Sequence, residues 1–266
     1  MVPDCHIHTY LCHHAIGHPR DYRETARRNG IPEICLADHM PAPDGYDPDN
    51  RMSPDDYPTY RAMFNELMAT SHSVPVRFGI EADYYPGCES HLREWLPRQN
   101  FDLIIGSVHY LGAWGFDNPL YAGQWDQVNL VDTWRHYFKL IAGMADTRLY
   151  DIVGHLDVTK KFGHQPAPDQ TVALAEPALD RIAAAGMAIE INTSGLRKPV
   201  GEMYPALPIL HRAYQREIPI VFGSDSHAPE EVGFAFNQAV ACARQAGYRH
   251  YVRYQNRIAT RHPLPG

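Results

Sequence analysis

The chain has 266 residues, 44% of them apolar and 21% charged, enough to bury the core of one large α/β domain. A formal net charge of -7 argues against a general nucleic-acid or anionic-membrane binder, but not against an anionic substrate met by cations of the site itself. No apolar run approaches the roughly eighteen residues of a spanning helix, and no secretory leader is expected after Met1. The five scattered cysteines contain no CxxC pair, so a cytoplasmic, reducing setting is expected.

Short apolar, β-branched runs then alternate with helical segments along the whole chain. The first run, PDCHIHT (3–9), overlaps DCHIHTYLCHHA (4–15), which packs four histidines and two cysteines together. A helix is expected over 19–29, opened by Pro19, and a second strand at EICLADH (33–39). Helix 54–71 leads to VRFGIEADY (76–84), and helix 88–98 to FDLIIGSVHY (101–110). Helix 127–146 precedes YDIVGHLD (150–157), and helix 169–185, ended by Gly186, precedes MAIEINTSG (187–195). Helix 204–216, strand IPIVFGSDSH (218–227) and helix 229–246 complete the series.

Sustained strand–helix alternation implies a parallel sheet with helical crossovers, buried on both faces. Closure into a barrel is the simplest way to cover so many strands; an open doubly wound sheet is the competing arrangement. With no repeat or linker in view, residues 1–266 are expected to form a single domain. The long irregular stretches 40–53 and 111–126 follow strands and suit lids or substrate loops.

The metal-capable residues fall at the C-terminal ends of these strands. His6 and His8 lie in the first, His39 ends the second, Glu81 is late in the third, His109 in the fourth, His155 in the fifth, and Asp225 and His227 end the seventh. His14 follows the first strand, and the sixth offers only Asn192. In a parallel barrel these ends share one rim, and residues two apart in a strand point the same way. A lone histidine or glutamate there would be an ordinary hydrogen-bonded or solvated side chain. A whole ring of them would cost several kcal/mol if buried without compensation. Divalent ions remove that cost, so a polynuclear metal site is expected. Its His/carboxylate chemistry suits Zn, Mn or Fe better than Ca or Mg. Cys5 alternates with His6 and is expected to face away, and Cys12 to stay outside the ligand set.

The ordered set HIHT, ADH, IEAD, GSVHY, GHLD and GSDSH, with LCHHAIGHPRDY, NTSGLRKP and SDSHAPEEVGFAF, resembles the PHP (polymerase and histidinol phosphatase) superfamily. Within it the chain is most similar to the monofunctional histidinol-phosphate phosphatases. The resemblance implies a distorted (β/α)7 TIM-like barrel with three divalent ions at the C-terminal rim. The first ion would be held by His6, His8, Glu81 and Asp225, and the second by Glu81 as a bridge with His109 and His155. The third would be held by His14, His39 and His227, although His13 stands beside His14 as an alternative. It further implies hydrolysis of L-histidinol phosphate by direct attack of a metal-bridging hydroxide. Asp225, Glu81 and His227 would serve the chemistry, with Asp225 or a nearby histidine protonating the leaving alkoxide.

A phosphate also needs cationic donors. Arg197, whose planar fork suits phosphate, and Lys160 and Lys161 follow the sixth and fifth strands on the active rim. A solvated role is the competing reading for each lysine. Tyr110, Trp114, Tyr46, Asp44 and Asp47 are available for the amine and imidazole of the substrate. The expected partner is thus a small phosphorylated molecule, without nucleic acid or membrane; oligomeric state is left open. The rival readings are a PHP-type phosphoesterase acting on nucleotides or nucleic acid, and a metal-dependent structural module.

Overall fold

The computed structural model describes residues 1–42, 44–70 and 74–266. Pro43, in the first expected loop, and Ser71, at the expected end of the second helix, lie outside the described residues. Each expected strand forms, in chain order: β1 (Asp4–Ile7), β2 (Ile34–Leu36), β3 (Val76–Asp83) and β4 (Leu103–Ser107). A small hairpin, β5 (Tyr110–Leu111) and β6 (Trp114–Gly115), interrupts before β7 (Ile152–Val153), β8 (Ala188–Asn192) and β9 (Ile220–Gly223). The intervening helices are α1 (Pro19–Arg28), α2 (Tyr57–Ala69), α3 (Glu89–Trp95), α4 (Leu130–Thr147), α5 (Pro168–Ala185), α6 (Leu207–Gln215) and α7 (Phe236–Gln245).

Seven parallel strands pair in the order β1-β2-β3-β4-β7-β8-β9. The ring is nearly closed by a single parallel bridge between Ile7 and Ser226, where His8 N–H donates to the Ser226 carbonyl at 3.0 Å. The buried Asp4 carboxylate reinforces this seam, accepting from Ser224 N–H at 2.9 Å, Ser224 Oγ at 2.5 Å and Gly233 N–H at 2.9 Å. The expected barrel is therefore the observed architecture, and the open doubly wound sheet is not.

Alternation along the strands divides the apolar residues into two layers. Ile34, Leu36, Phe78, Ile80, Ile104, Ile189, Ile191, Ile220 and Phe222 pack outward against helical side chains such as Tyr22, Tyr60, Trp134, Leu179 and Leu210. A separate inner layer comprises Cys5, Cys35, Ala37, Leu103, Ile105, Ile152, Ala188 and Val221, with Tyr254 against it. Cys5 does not alternate cleanly with His6, because the register shifts between Asp4 and Ile7; its thiol sits in this inner layer.

Tyr254 belongs to the hairpin β10 (His250–Gln255) and β11 (Ile258–Pro263), absent from the sequence reading. The hairpin covers the N-terminal mouth of the barrel. Arg257 donates to the Asp151 carboxylate at 3.0 Å, and Asn256 N–H to Asp102 at 3.0 Å, both at strand starts. The floor is sealed there, so access is left to the opposite rim, where the ligand candidates gather.

Candidate metal centre

Glu81, 1% exposed near the end of β3, is the hub of that rim. Its Oε1 lies 3.0 Å from His155 Nε2 and 3.6 Å from His109 Nε2. Its Oε2 lies 3.4 Å from His6 Nε2, 3.6 Å from His8 Nε2 and 2.9 Å from His39 Nδ1. His6 Nε2 and His8 Nε2 stand 3.1 Å apart, His109 Nε2 and His155 Nε2 3.2 Å, and Asp225 Oδ1 is 3.2 Å from His8 Nε2. A tetrahedral ion with bonds of about 2.05 Å has ligand-to-ligand edges of about 3.3 Å. The first two expected ligand groups match that spacing, with Glu81 between them.

His14, His39 and His227 gather more loosely. The rings of His14 and His227 are 4.6 Å apart, and those of His14 and His39 5.6 Å. The Cys12 sulfur, expected outside the set, lies within 4.8 Å of ligand atoms of His14 and His227. His13 and His14 are both exposed, but only His14 lines the cleft; His13, at a left-handed φ of 68°, ends the short turn Tyr10–Cys12.

Orphaned polar atoms test whether metal suits this pocket. Glu81 Oε2 and His39 Nδ1, 2.9 Å apart but out of hydrogen-bond alignment, and His227 Nε2 are buried without a hydrogen-bond partner. Groups of that kind are costly unless something satisfies them, and all three are metal donors, so the residues fit divalent ions.

The imidazoles are also aimed from behind. His6 Nδ1 donates to Glu190 at 2.8 Å, His8 Nδ1 to Asp38 at 3.3 Å, and His109 Nδ1 to Asp83 at 2.8 Å. The His14 and His227 Nδ1 atoms donate to the carbonyls of Cys12 and Asp225, at 2.7 and 3.0 Å. Each contact leaves Nε2 as the lone-pair nitrogen facing the site, as metal ligation requires.

Electrostatics divides the ring into charged and neutral members. Burial would raise the Glu81 carboxyl, but His39, His6 and His109 hold it well below the usual carboxylate range. His6, His8 and His227 do the same for Asp225 against its burial. Burial opposes charge on His6, yet Glu190, Glu81 and Asp225 raise it well above the ordinary imidazole value. His109, likewise opposed by burial, is pushed up to about 10 by Asp83 and Glu81. Burial keeps His39 and His227 low. The carboxylates are thus anions facing several imidazoles, an environment in which a divalent cation can replace protons.

Above the ring opens a cleft of about 550 Å³, lined by Asp47, Asn50, Tyr110, Asp117, Lys161, Ser194 and Lys198 as well as by most of the ligand candidates. Of the expected phosphate contacts, Lys161 lines it, paired with Asp117 at 3.1 Å. Lys160 does not: it is fully buried and donates to Glu202 and the Met203 carbonyl, each at 2.8 Å, with Asp157 at 3.1 Å. Arg197 is also engaged elsewhere, with Glu231 at 3.0 Å and the carbonyls of Ser224 and Asp225 at 3.0 and 3.1 Å. Lys198, its neighbour, faces the cleft instead. Tyr110 lines the cleft as expected, and so does Asp47, but Asp44 bonds Tyr85 and Trp114 packs on Trp125.

The motifs at these positions have counterparts elsewhere. Residues 4–194 match the model of the PHP domain. The chain belongs to the PHP family. A "Probable histidinol-phosphatase" of Deinococcus radiodurans is 45% identical over 250 residues, covering 92% of this chain and 94% of that one. A histidinol-phosphatase of Bacillus subtilis is 28% identical over 260 residues, 88% of this chain and 96% of that one. Among solved structures, the histidinol phosphate phosphatase of Lactococcus lactis, crystallised with zinc, L-histidinol and phosphate, has the same fold. Its TM-score is 0.80 at 20% identity, over 98% of this chain and 100% of that one.

Several members of this PHP site escaped the sequence reading: Glu190, Asp38 and Asp83 behind the histidines, and Asn50, Asp117 and Lys198 in the cleft. Glu190, Asp38 and Asp83 alternate on strand ends with their apolar neighbours, and that periodicity was a usable signal. Lys198 sits in the same RK pair as Arg197, where composition alone could not tell which side chain turns inward.

Proposed function

We propose that this chain is a histidinol-phosphatase, hydrolysing L-histidinol phosphate to L-histidinol and phosphate with three divalent ions at the C-terminal rim. The observation that carries the reading is the placement of Glu81, one oxygen toward His109 and His155 and the other toward His6 and His8, at ligand-edge distances. The 45% identical relative bears the same activity in its name and supports the substrate.

His6, His8, Glu81 and Asp225 would hold one ion, Glu81, His109 and His155 a second, and His14, His39 and His227 a third. Bound there, the ions supply Lewis-acid neutralisation of the phosphoryl charge and activate water for in-line attack; Zn, Mn or Fe suits the donors. Lys161 and Lys198 add cationic charge from the loops after β7 and β8. Asn192 Nδ2 and Ser194 Oγ donate to Asp225 Oδ2, at 3.3 and 3.1 Å, and hold that carboxylate toward the cleft. The proton released by the attacking water would reach the departing alkoxide oxygen by way of Asp225 or of His227 beside it.

The reading treats residues 1–266 as one PHP-type barrel domain, because the C-terminal hairpin completes the floor of the barrel. A cytoplasmic location goes with it, supported by the free state of all five cysteines. Among the described residues no helix is long and apolar enough to cross a membrane. The test is turnover of metal-loaded protein on histidinol phosphate, other small phosphomonoesters and single-stranded DNA. Histidinol phosphate is expected to be the best substrate, with Asp225→Asn folded and inactive. Efficient DNA cleavage with no release of phosphate from histidinol phosphate overturns the reading.

A further inference from the structure

Arg51 lies in the loop after β2, only 3% exposed, and its guanidinium is used in four directions at once. One Nη2 hydrogen bond goes to Asp83 Oδ2 at 2.8 Å and another to Asp47 Oδ2 at 3.2 Å. Nε donates to the Asp47 carbonyl at 3.2 Å, and Nη1 to the Met40 carbonyl, next to His39, at 3.4 Å. The far oxygen of Asp83 receives His109 Nδ1 at 2.8 Å. Asp47, at a left-handed φ of 49°, also accepts from Asn50 Nδ2 at 2.7 Å and is hydrogen-bonded by Tyr110. Asp47, Asn50 and Tyr110 line the cleft from the loops after β2 and β4, whereas Lys161 and Lys198 enter from the loops after β7 and β8. An acidic and amide wall from these two loops therefore stands beside the cationic loops and meets them where Asp117 pairs with Lys161 at 3.1 Å.

We propose that Arg51 is a positioning residue that ties this wall to His109 through Asp83. The arrangement couples recognition of the cationic leaving group to the aim of a metal-facing imidazole. Three features point to this role rather than to charge neutralisation alone. Neutralising Asp83 takes a single charged nitrogen, yet Arg51 spends its planar fork on two carboxylates and two carbonyls. Asp83 has one oxygen for Arg51 and one for His109, so displacement on one side is transmitted to the other. The loop reaching Arg51 carries the Asp47 and Asn50 side chains that a protonated amine in the cleft would meet.

The inference rests on the proposed phosphatase reading for its substrate arm and not for its metal arm. The fully metal-loaded chain is compared with Arg51→Lys, Arg51→Met and Asp47→Asn. Lysine keeps a charge for Asp83 but has a single nitrogen, so it cannot hold Asp47 and the carbonyls as well. Arg51→Lys and Asp47→Asn are each expected to raise KM for histidinol phosphate about tenfold. KM for phenyl phosphate, which has no amine, is expected to stay within twofold. The double variant should be little worse than either single one, since both break the same tie. Arg51→Met leaves Asp83 buried without its cation, and one ion should pass to a coloured chelator about tenfold faster than from the wild-type protein.

Equal KM changes on both substrates, or unaltered metal release from a folded Arg51→Met, would overturn the proposal. So would additive effects of Arg51→Lys and Asp47→Asn. If the wild-type protein does not turn over histidinol phosphate, the phosphatase reading falls, and chelator kinetics, which need no turnover, still decide whether Arg51 steadies His109.

Discussion

Glu190 accepts from Nδ1 of His6 at 2.8 Å, with both side chains fully buried. Its other oxygen receives the His155 N–H at 2.9 Å and Asn192 Nδ2 at 3.0 Å, so one carboxylate braces the histidines of two expected ion sites. The approach is possible because residue 223 is glycine: a Cβ there would stand 1.8 Å from Glu190 Oε1 and 2.8 Å from His6 Cβ.

Glu190→Gln keeps the shape of the side chain but turns an amide NH2 toward one of these donors. Loss of such a carboxylate behind a ligating histidine typically costs ten- to a hundredfold in metal affinity. A weakening of at least about tenfold is expected in competition titrations with a chelator. Affinity unchanged within a factor of two would show that His6 needs no such brace.

The two adjacent lysines should separate cleanly. Lys161→Met is expected to raise KM for histidinol phosphate about tenfold while leaving the unfolding midpoint in denaturant nearly unchanged. Lys160→Met removes the cation between buried Asp157 and Glu202 and should cost about 3 kcal/mol of stability, with little effect on KM. Michaelis and unfolding curves on the two variants check this, and the opposite pattern would return Lys160 to the substrate.

The barrel was legible because its strands are apolar and alternate with helical segments, and all but the sixth carry histidine, aspartate or glutamate at their ends. His6, His8, Glu81, His109, His155 and Asp225 could be placed together from strand parity and the common rim alone. What the pattern could not reveal depends on tertiary partners. Arg197 and Lys198 are chemically similar neighbours, and only packing against Glu231 decides which one turns away from the cleft. The hairpin at 250–263 is rich in arginine and histidine, so it lacked a strong apolar signal. Tyr254, which meets the inner layer, is one aromatic among charged neighbours.

Removing the ions should loosen the fold as well as stop turnover. A ligand present at a hundred times its dissociation constant stabilises the folded state by about 2.7 kcal/mol per site. For a chain of this size a kcal/mol corresponds to roughly 2–4 °C. Exhaustive chelation should therefore lower the melting midpoint by at least about 5 °C, and added zinc should restore it. A scanning-calorimetry midpoint that does not move on chelation would rule out ions as a structural element of the rim.

Asp151, at the start of β7, offers a test of how the C-terminal hairpin is anchored. Its carboxylate accepts from Arg257 at 3.0 Å and from Ile104 N–H at 2.9 Å. Burial nevertheless raises its pKa above the ordinary aspartate value, outweighing the Arg257 charge and these hydrogen bonds. An acid raised in the folded state binds its proton more tightly there than in the unfolded chain. Its contribution is fully present below the unfolded value and is lost as pH rises through the folded one. Wild-type stability relative to Asp151→Asn should therefore decline from about pH 4 upward and level off once Asp151 is ionised. Denaturant unfolding of both proteins across that range, at fixed metal load, measures the difference. A relative stability that instead increases with pH would mean that the Arg257 pair dominates the burial of Asp151.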